Sequence, residues 1–218
     1  MCLHTAPVRA QGPVPTLAWA AQESVPRLAT ADAPAGLDYR ILRAWYTQEQ
    51  RPIAQWMRFT DRTAYPLFYG SPLLMWGLAA ANTVETRAAY RFTAAHAATV
   101  GSTFLLKRLV KRDRPYVQHS DIMARRSSDL ELIERPDPRS FPSGHTALAV
   151  ALATTMALEY PEPYVVIPSV IWAGSIGLSR VWLGLHYPSD VLLGGLLGGG
   201  IAWAVHALGD RIIPVRLR

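Results

Sequence analysis

Three short stretches of this chain set cations, imidazoles and a carboxylate close together: KRLVKRDRP at 107–115, FPSGHTALAV at 141–150 and SRVWLGLHYPSD at 179–190. In the third, Pro188 suits the first turn of a helix. His186 then falls just before that helix and Asp190 inside its first turn, where the carboxylate can accept a hydrogen bond from the imidazole. Such a bond fixes the ring tautomer, leaves the other nitrogen free to attack an electrophile, and stabilises the positive ring that results. Taken alone, Asp190 is equally at home there as an acid favoured by the helix dipole. The chemistry that fits the full set is attack on phosphorus.

In the second stretch, Pro142, Ser143 and Gly144 stand where a helix begins. Free backbone N–H groups and the positive end of the dipole make such a start an anion site, and Gly144 lets an oxyanion approach the backbone. His145 is then placed to give or take a proton at a leaving oxygen. An ordinary helix cap explains the same residues in isolation. In the first stretch, Lys107 and Arg114 are seven apart, two helical turns, so the spacing predicts that both point the same way from one helix end, with Pro115 stopping the helix. Each can hold a phosphate oxygen, Arg114 through its planar fork; a basic anchor at a membrane edge has the same composition.

These residues must be positioned by a strongly apolar chain. Of 218 residues, half are apolar and 17% are charged, against roughly a quarter charged in ordinary soluble domains. Formal net charge is +6, which suits anionic partners. Cys2 is the single cysteine, so no intramolecular disulfide and no cysteine-based metal site is expected. The mean hydropathy of +0.09 is modest for a chain of many spans. Residues 1–36 read as an irregular, Ala- and Pro-rich lead, in which APVRAQGP resembles the end of a cleaved signal peptide without its apolar core. From Asp38 to Phe59 apolar residues recur at helical spacing with arginines between them. This predicts an amphipathic helix, interrupted near Pro52, on a membrane surface or on the bundle. Five apolar segments follow at 64–82, 90–106, 144–159, 164–179 and 189–208. The middle three are short for a span of about 20 residues and are completed by Arg91, Lys107 or Arg180 snorkelling from their ends. A soluble bundle with buried helices is the alternative. Gly194 and Gly198, with Gly195 and Gly199, provide small residues four apart for close helix packing.

Five segments alternating in direction bring the end of the second, the start of the third, the end of the fourth and the start of the fifth to one side. All three stretches therefore fall at one end of an all-α, membrane-embedded bundle.

In order and spacing, K-x6-RP at Lys107–Pro115, PSGH at Pro142–His145 and SR-x5-H-x3-D at Ser179–Asp190 resemble the three-part signature of the type 2 phosphatidic acid phosphatases, a superfamily shared with vanadium haloperoxidases and class A acid phosphatases. The resemblance covers about residues 60–208. It implies a phosphoric ester hydrolase acting on a lipid phosphate monoester or diphosphate, with residues 37–218 as one helical domain. In it His186 would be the nucleophile of a phosphohistidine intermediate, oriented by Asp190, and His145 the acid and then the base. Lys107, Arg114 and Arg180, with the amides of Ser143 and Gly144, would hold the phosphate oxygens, with no metal or other cofactor. Family members commonly carry one more span before the region that residues 37–61 match.

A vanadate-dependent haloperoxidase, a soluble periplasmic acid phosphatase and a catalytically silent lipid-phosphate binder or transport component are the rival readings. The expected partners are a lipid phosphate and the bilayer; basic residues at helix ends beside apolar spans do not form a nucleic-acid surface. Cations concentrate on the site side, which the positive-inside rule assigns to the cytoplasm. Several of them serve the site, however, and the family's bacterial lipid phosphatases face the periplasm. The expectation is a bacterial inner-membrane protein with a periplasmic site. His96 and His206 read as packed core residues, and the loop 116–140, with Arg125, Arg126, Arg135 and Arg139, as a charged cover over the site.

Overall fold

The computed structural model describes residues 36–125 and 138–209, which belong to one compact unit. The irregular lead, Arg126 and Arg135 lie outside the described residues. The described chain is helical, with no strand: α1 Leu37–Tyr46, α2 Arg51–Ala80, α3 Thr86–Val110, a single turn α4 Pro115–Gln118, α5 Gly144–Glu159, α6 Pro163–Trp182 and α7 Pro188–Ala207.

The helix expected over 38–59 is split. Residues 47–50 separate α1 from α2, and Pro52 lies in the first turn of α2, where a missing N–H leaves no bond unmade. α2 then runs straight on into the first apolar segment as one 30-residue helix, with Pro66 and Pro72 inside it. α1 lies on the bundle. It buries Leu42 among Ile122, Val181 and Tyr187, and its Trp45 donates to the Leu178 carbonyl at 3.0 Å.

α5 coincides with its apolar segment, and α6 and α7 differ from theirs by one to three residues. α3 overruns its segment by four at each end, taking in Arg87 and Lys107, because backbone hydrogen bonding continues whatever the side chain. α6 and α7 are each long and apolar enough to cross a bilayer. α5 has 16 residues, about 24 Å at ~1.5 Å per residue, short of a hydrocarbon core of about 30 Å. It is the central helix, packed against α2, α3, α6 and α7 with no exposed residue, so its neighbours meet the lipid in its place. They carry the outward apolar surface: Leu73 and Leu74 on α2, Phe104 and Leu105 on α3, Ile167 and Val170 on α6, and Leu192 and Leu196 on α7. A monomeric soluble protein rarely shows so wide an apolar exterior, and the bundle is an all-α membrane fold.

Glycine sets the closest contact. A Cβ at Gly198 would strike the Ala147 carbonyl, and one at Gly194 would come within 2.6 Å of the Ser143 oxygen, whereas Gly195 and Gly199 meet Val150 at ordinary distances of 3.5 and 3.4 Å. Of the two small-residue pairs, only Gly194 and Gly198 are needed to press α7 onto α5.

Candidate active site

The three stretches meet, though not wholly as their spacing predicts. Lys107 and Arg114 do not share a helix. α3 ends at Val110, Lys111 takes the left-handed conformation (φ 51), and Pro115 opens α4 with Arg114 as its N-cap. The two cations converge because residues 112–114 turn back along 138–140: Ser140 N–H donates to the Arg112 carbonyl at 2.6 Å, and Arg114 N–H to that of Pro138 at 3.0 Å. Lys107 Nζ donates to the Arg139 carbonyl at 2.7 Å.

α5 starts at Gly144 as expected. Its N-cap Ser143 makes no side-chain cap, and its hydroxyl instead pairs with that of Thr146 at 2.8 Å. The Ser143 amide donates to the Asp190 carbonyl at 3.0 Å, which removes it from the expected phosphate donors and leaves Gly144. The contact follows from Gly194, whose bare backbone lets the starts of α5 and α7 touch.

Between α6 and α7, Gly184 adopts φ 72 just past the helix end. The backbone N–H groups of Leu185 and His186 both donate back to the Arg180 carbonyl, at 3.1 and 3.3 Å, a closure for which glycine in the left-handed region is the usual means. A side chain at Gly184 would meet the Met123 carbonyl at 2.9 Å. This turn folds His186 inward, 3% exposed. Burial pushes its imidazole down to about 3, the Arg114 and Lys107 charges act in the same sense, and Asp190 opposes them.

Asp190 does not bond His186 directly, since its Oδ2 lies 3.9 Å from Nδ1. Ser140 stands between them: its hydroxyl is 2.5 Å from Asp190 Oδ2 and 3.3 Å from His186 Nδ1. The same carboxylate oxygen accepts the Tyr187 N–H at 2.9 Å, the helix-capping role that its position allows. The other oxygen accepts from Arg112 Nη1 at 2.7 Å, and Arg112 Nη2 reaches Asp38 of α1 at 2.6 Å.

Arg180 is wholly buried and pairs with Asp61 of α2, while its Nε and Nη2 donate to Ser179 Oγ at 3.3 and 3.2 Å. Its Nη1, together with Arg114 Nε and His145 Nε2, is buried with no hydrogen-bond partner among the described residues. Unpaired buried polar atoms are rare in a folded protein, and the two guanidinium N–H groups among these call for an acceptor. The charges of Lys107 and Arg114 act on both His145 and His186, so an imidazole from the first turn of α5 and one from the turn between α6 and α7 share the same two cations. Tyr65 and Phe68 of α2 wall His145, with ring centroids at 5.1 and 5.8 Å.

A family model described as the PAP2 superfamily matches residues 88–213, more than half of the chain. The chain belongs to the PAP2 superfamily. Among curated relatives, this PAP2 chain is 38% identical over 117 residues to decaprenylphosphoryl-5-phosphoribose phosphatase of Mycobacterium tuberculosis (strain CDC 1551 / Oshkosh), covering 53% of this chain and 55% of that protein. It is 32% identical over 72 residues to lipid A 4'-phosphatase of Bacteroides thetaiotaomicron, covering 33% and 32%. The chain spans about half the length, or less, of the curated relatives it matches. Among solved structures it resembles Aquifex aeolicus LpxE, with a TM-score of 0.64, 21% identity, and coverage of 78% of this chain and 94% of that one. The PAP2-type phosphatidylglycerolphosphate phosphatase of Bacillus subtilis gives 0.60, 22%, 82% and 87%. These two likenesses establish a shared helical fold.

The structure adds residues that the motifs do not point to: Ser140, Arg112, Asp38 and Asp61. Asp61 had a readable signal, since an acid one-third of the way along a helix that enters a membrane needs a partner. Arg125, expected in a cover over the site, lies 4.0 and 4.6 Å above the Tyr46 and Trp182 rings and pairs with Glu49 at 3.3 Å. It acts as a packing anchor.

Proposed function

We propose that this PAP2 chain is a membrane lipid phosphatase that cleaves a phosphate monoester or diphosphate through a phosphohistidine at His186. One observation carries the reading: the His145 and His186 imidazoles, from α5 and from the α6–α7 turn, feel the same pair of cations, Lys107 and Arg114, beside buried guanidinium N–H groups that lack an acceptor among the described residues. A phosphoryl group in transfer spreads charge over its equatorial oxygens, and preorganised cations aimed there are the main source of catalysis.

In this mechanism the lone pair of His186 Nε2 forms the bond to phosphorus. The bond to the leaving oxygen breaks, and that oxygen takes a proton from His145. Water then attacks phosphorus while His145 accepts its proton, and the P–N bond pair returns to His186. Lys107, Arg114, Arg180 Nη1 and the Gly144 amide hold the non-bridging oxygens. Low basicity keeps His186 neutral, and so nucleophilic, throughout the physiological range.

The names of the relatives favour lipid-linked substrates, and a polyprenyl-linked sugar phosphate comes first, from the relative at 38% identity. Lipid A phosphates, undecaprenyl diphosphate, phosphatidylglycerol phosphate and phosphatidic acid complete the candidates. The protein sits in a bacterial inner membrane with its site toward the periplasm. Phosphate release from this panel, measured on the chain in nanodiscs with His186→Ala as control, tests the reading. Release from at least one lipid, absent in the variant, is expected. Bromide oxidation that depends on added vanadate, without phosphate release, would reverse it. An impermeant maleimide should label a cysteine placed at the exposed Ser120 in intact spheroplasts if the site faces outward.

A further inference from the structure

We propose that Ser140 is the positioning residue through which Asp190 acts on His186. The proposal rests on the phosphatase reading for its rates, and on geometry alone for the state of the ring. At 3.9 Å the carboxylate is out of hydrogen-bonding range of Nδ1, and both groups are buried, so nothing in their own contact orients the imidazole. Ser140, itself fully buried, meets both. Its 2.5 Å contact with Asp190 Oδ2 has the length of a hydroxyl donating to an ionised carboxylate. A carboxylate only accepts, so the serine proton is committed there. Toward His186 the serine oxygen can then only accept, and Nδ1 must carry the ring hydrogen. That leaves Nε2 with the lone pair.

The surroundings hold this arrangement. Ser140 is fixed through its own N–H on the Arg112 carbonyl. The Arg112 side chain occupies the other oxygen of Asp190 at 2.7 Å and is itself anchored on Asp38. Oδ2 is therefore the oxygen turned to Ser140. When the ring becomes positive on phosphorylation, Nδ1 keeps its hydrogen and donates it to the serine oxygen, and the carboxylate charge reaches it along the polarised hydroxyl.

The test uses the full chain in nanodiscs with 15N-labelled histidine, His186 being assigned by difference from His186→Ala. A protonated Nδ1 and a bare Nε2 near pH 7.5 are expected; the opposite tautomer overturns the proposal, whether or not any variant folds. On the best substrate of the panel, Ser140→Ala should lower kcat roughly 10–100-fold, the size of loss seen when the partner that orients a metal-binding imidazole is removed, with KM within about twofold. Ser140→Thr, which keeps the hydroxyl, should recover most of the rate. Ser140→Ala with Asp190→Asn together should fall no further than the worse single variant, since both break one chain. Losses that multiply, or a change confined to KM, would show that Asp190 works without the serine. If no lipid is hydrolysed, the phosphatase reading falls while the tautomer still decides this one.

Discussion

At the end of the bundle away from the site, Arg91 on α3, Glu159 on α5 and His206 on α7 close on one another, Glu159 Oε1 receiving the arginine at 2.9 Å and contacting His206 Nδ1 at 3.0 Å. At the other end the same three helices, with α6, bring Lys107, His145, Asp190 and Arg180 together. There, among the described residues, Asp61 and Asp190 are held by Arg180 and Arg112, and Arg114 Nε, Arg180 Nη1 and His145 Nε2 are buried without a hydrogen-bond partner. In the first cluster a single acid joins both the arginine and the histidine, and Arg91 Nε is the one buried side-chain atom without a hydrogen bond among the described residues, whereas in the second three such atoms come from three different elements, an arrangement suited to receiving an anion. The difference is one of degree, and it favours the proposed site as the anion-binding end.

The largest expected effect breaks the site end alone. His186→Ala should lower phosphate release by about 10^4 or more, as loss of a nucleophile does, with an unchanged melting temperature in detergent; activity within a few-fold of the parent would refute the assignment. Arg180→Gln should damage both properties, because it removes a proposed phosphate donor and strands Asp61. Breaking a buried pair costs about 3–5 kcal/mol, and adding Asp61→Asn should recover part of the stability but none of the rate. Recovery of both would make the pair purely structural.

Smaller effects sharpen the contrast. Gly198→Ala, whose new methyl meets the Ala147 carbonyl, should destabilise by about 1–3 kcal/mol through overpacking, whereas Gly195→Ala should be tolerated; equal losses would mean that α5 and α7 are not in the close contact described. Acid should also act through the site. The unfolded chain protonates His186 near 6.5 and the native ring only near 3, so the unfolded state binds the extra proton between those values. The stability this ring contributes is complete above about pH 6.5 and is lost as the pH falls toward 3. His186→Gln should flatten the fall in melting temperature over that range, and an identical slope in both proteins would contradict the burial effect. Last, Glu159→Gln should weaken the fold by about 1–3 kcal/mol and leave kcat within about twofold. A large loss of turnover at native stability would show that the two ends are not separable.

Much of this was legible in the chain. Apolar periodicity located five long helices, and Pro188 together with the four-residue spacing correctly put His186 before a helix and Asp190 in its first turn. The errors share one cause, which is that local spacing assumes the chain continues as it began. Lys107 and Arg114 looked like one helix face, but Lys111 turns left-handed and ends α3 between them. His186 and Asp190 looked bonded, but a serine from 46 residues earlier lies between them. α2 merged an expected surface helix with a span, because Pro52 starts a helix as readily as Pro115 was expected to end one.

The sequence by itself determined what each helix end carries and that all three motifs share one side, because helical alternation follows from the number of apolar segments. Only the tertiary structure decided which donors remain without an acceptor, which carboxylate holds which cation, and that Ser140 stands between Asp190 and His186. Those are relations between side chains distant in sequence, fixed by how closely α5 and α7 pack and by the return of 138–140 along 112–114. No local pattern encodes a distance across a bundle.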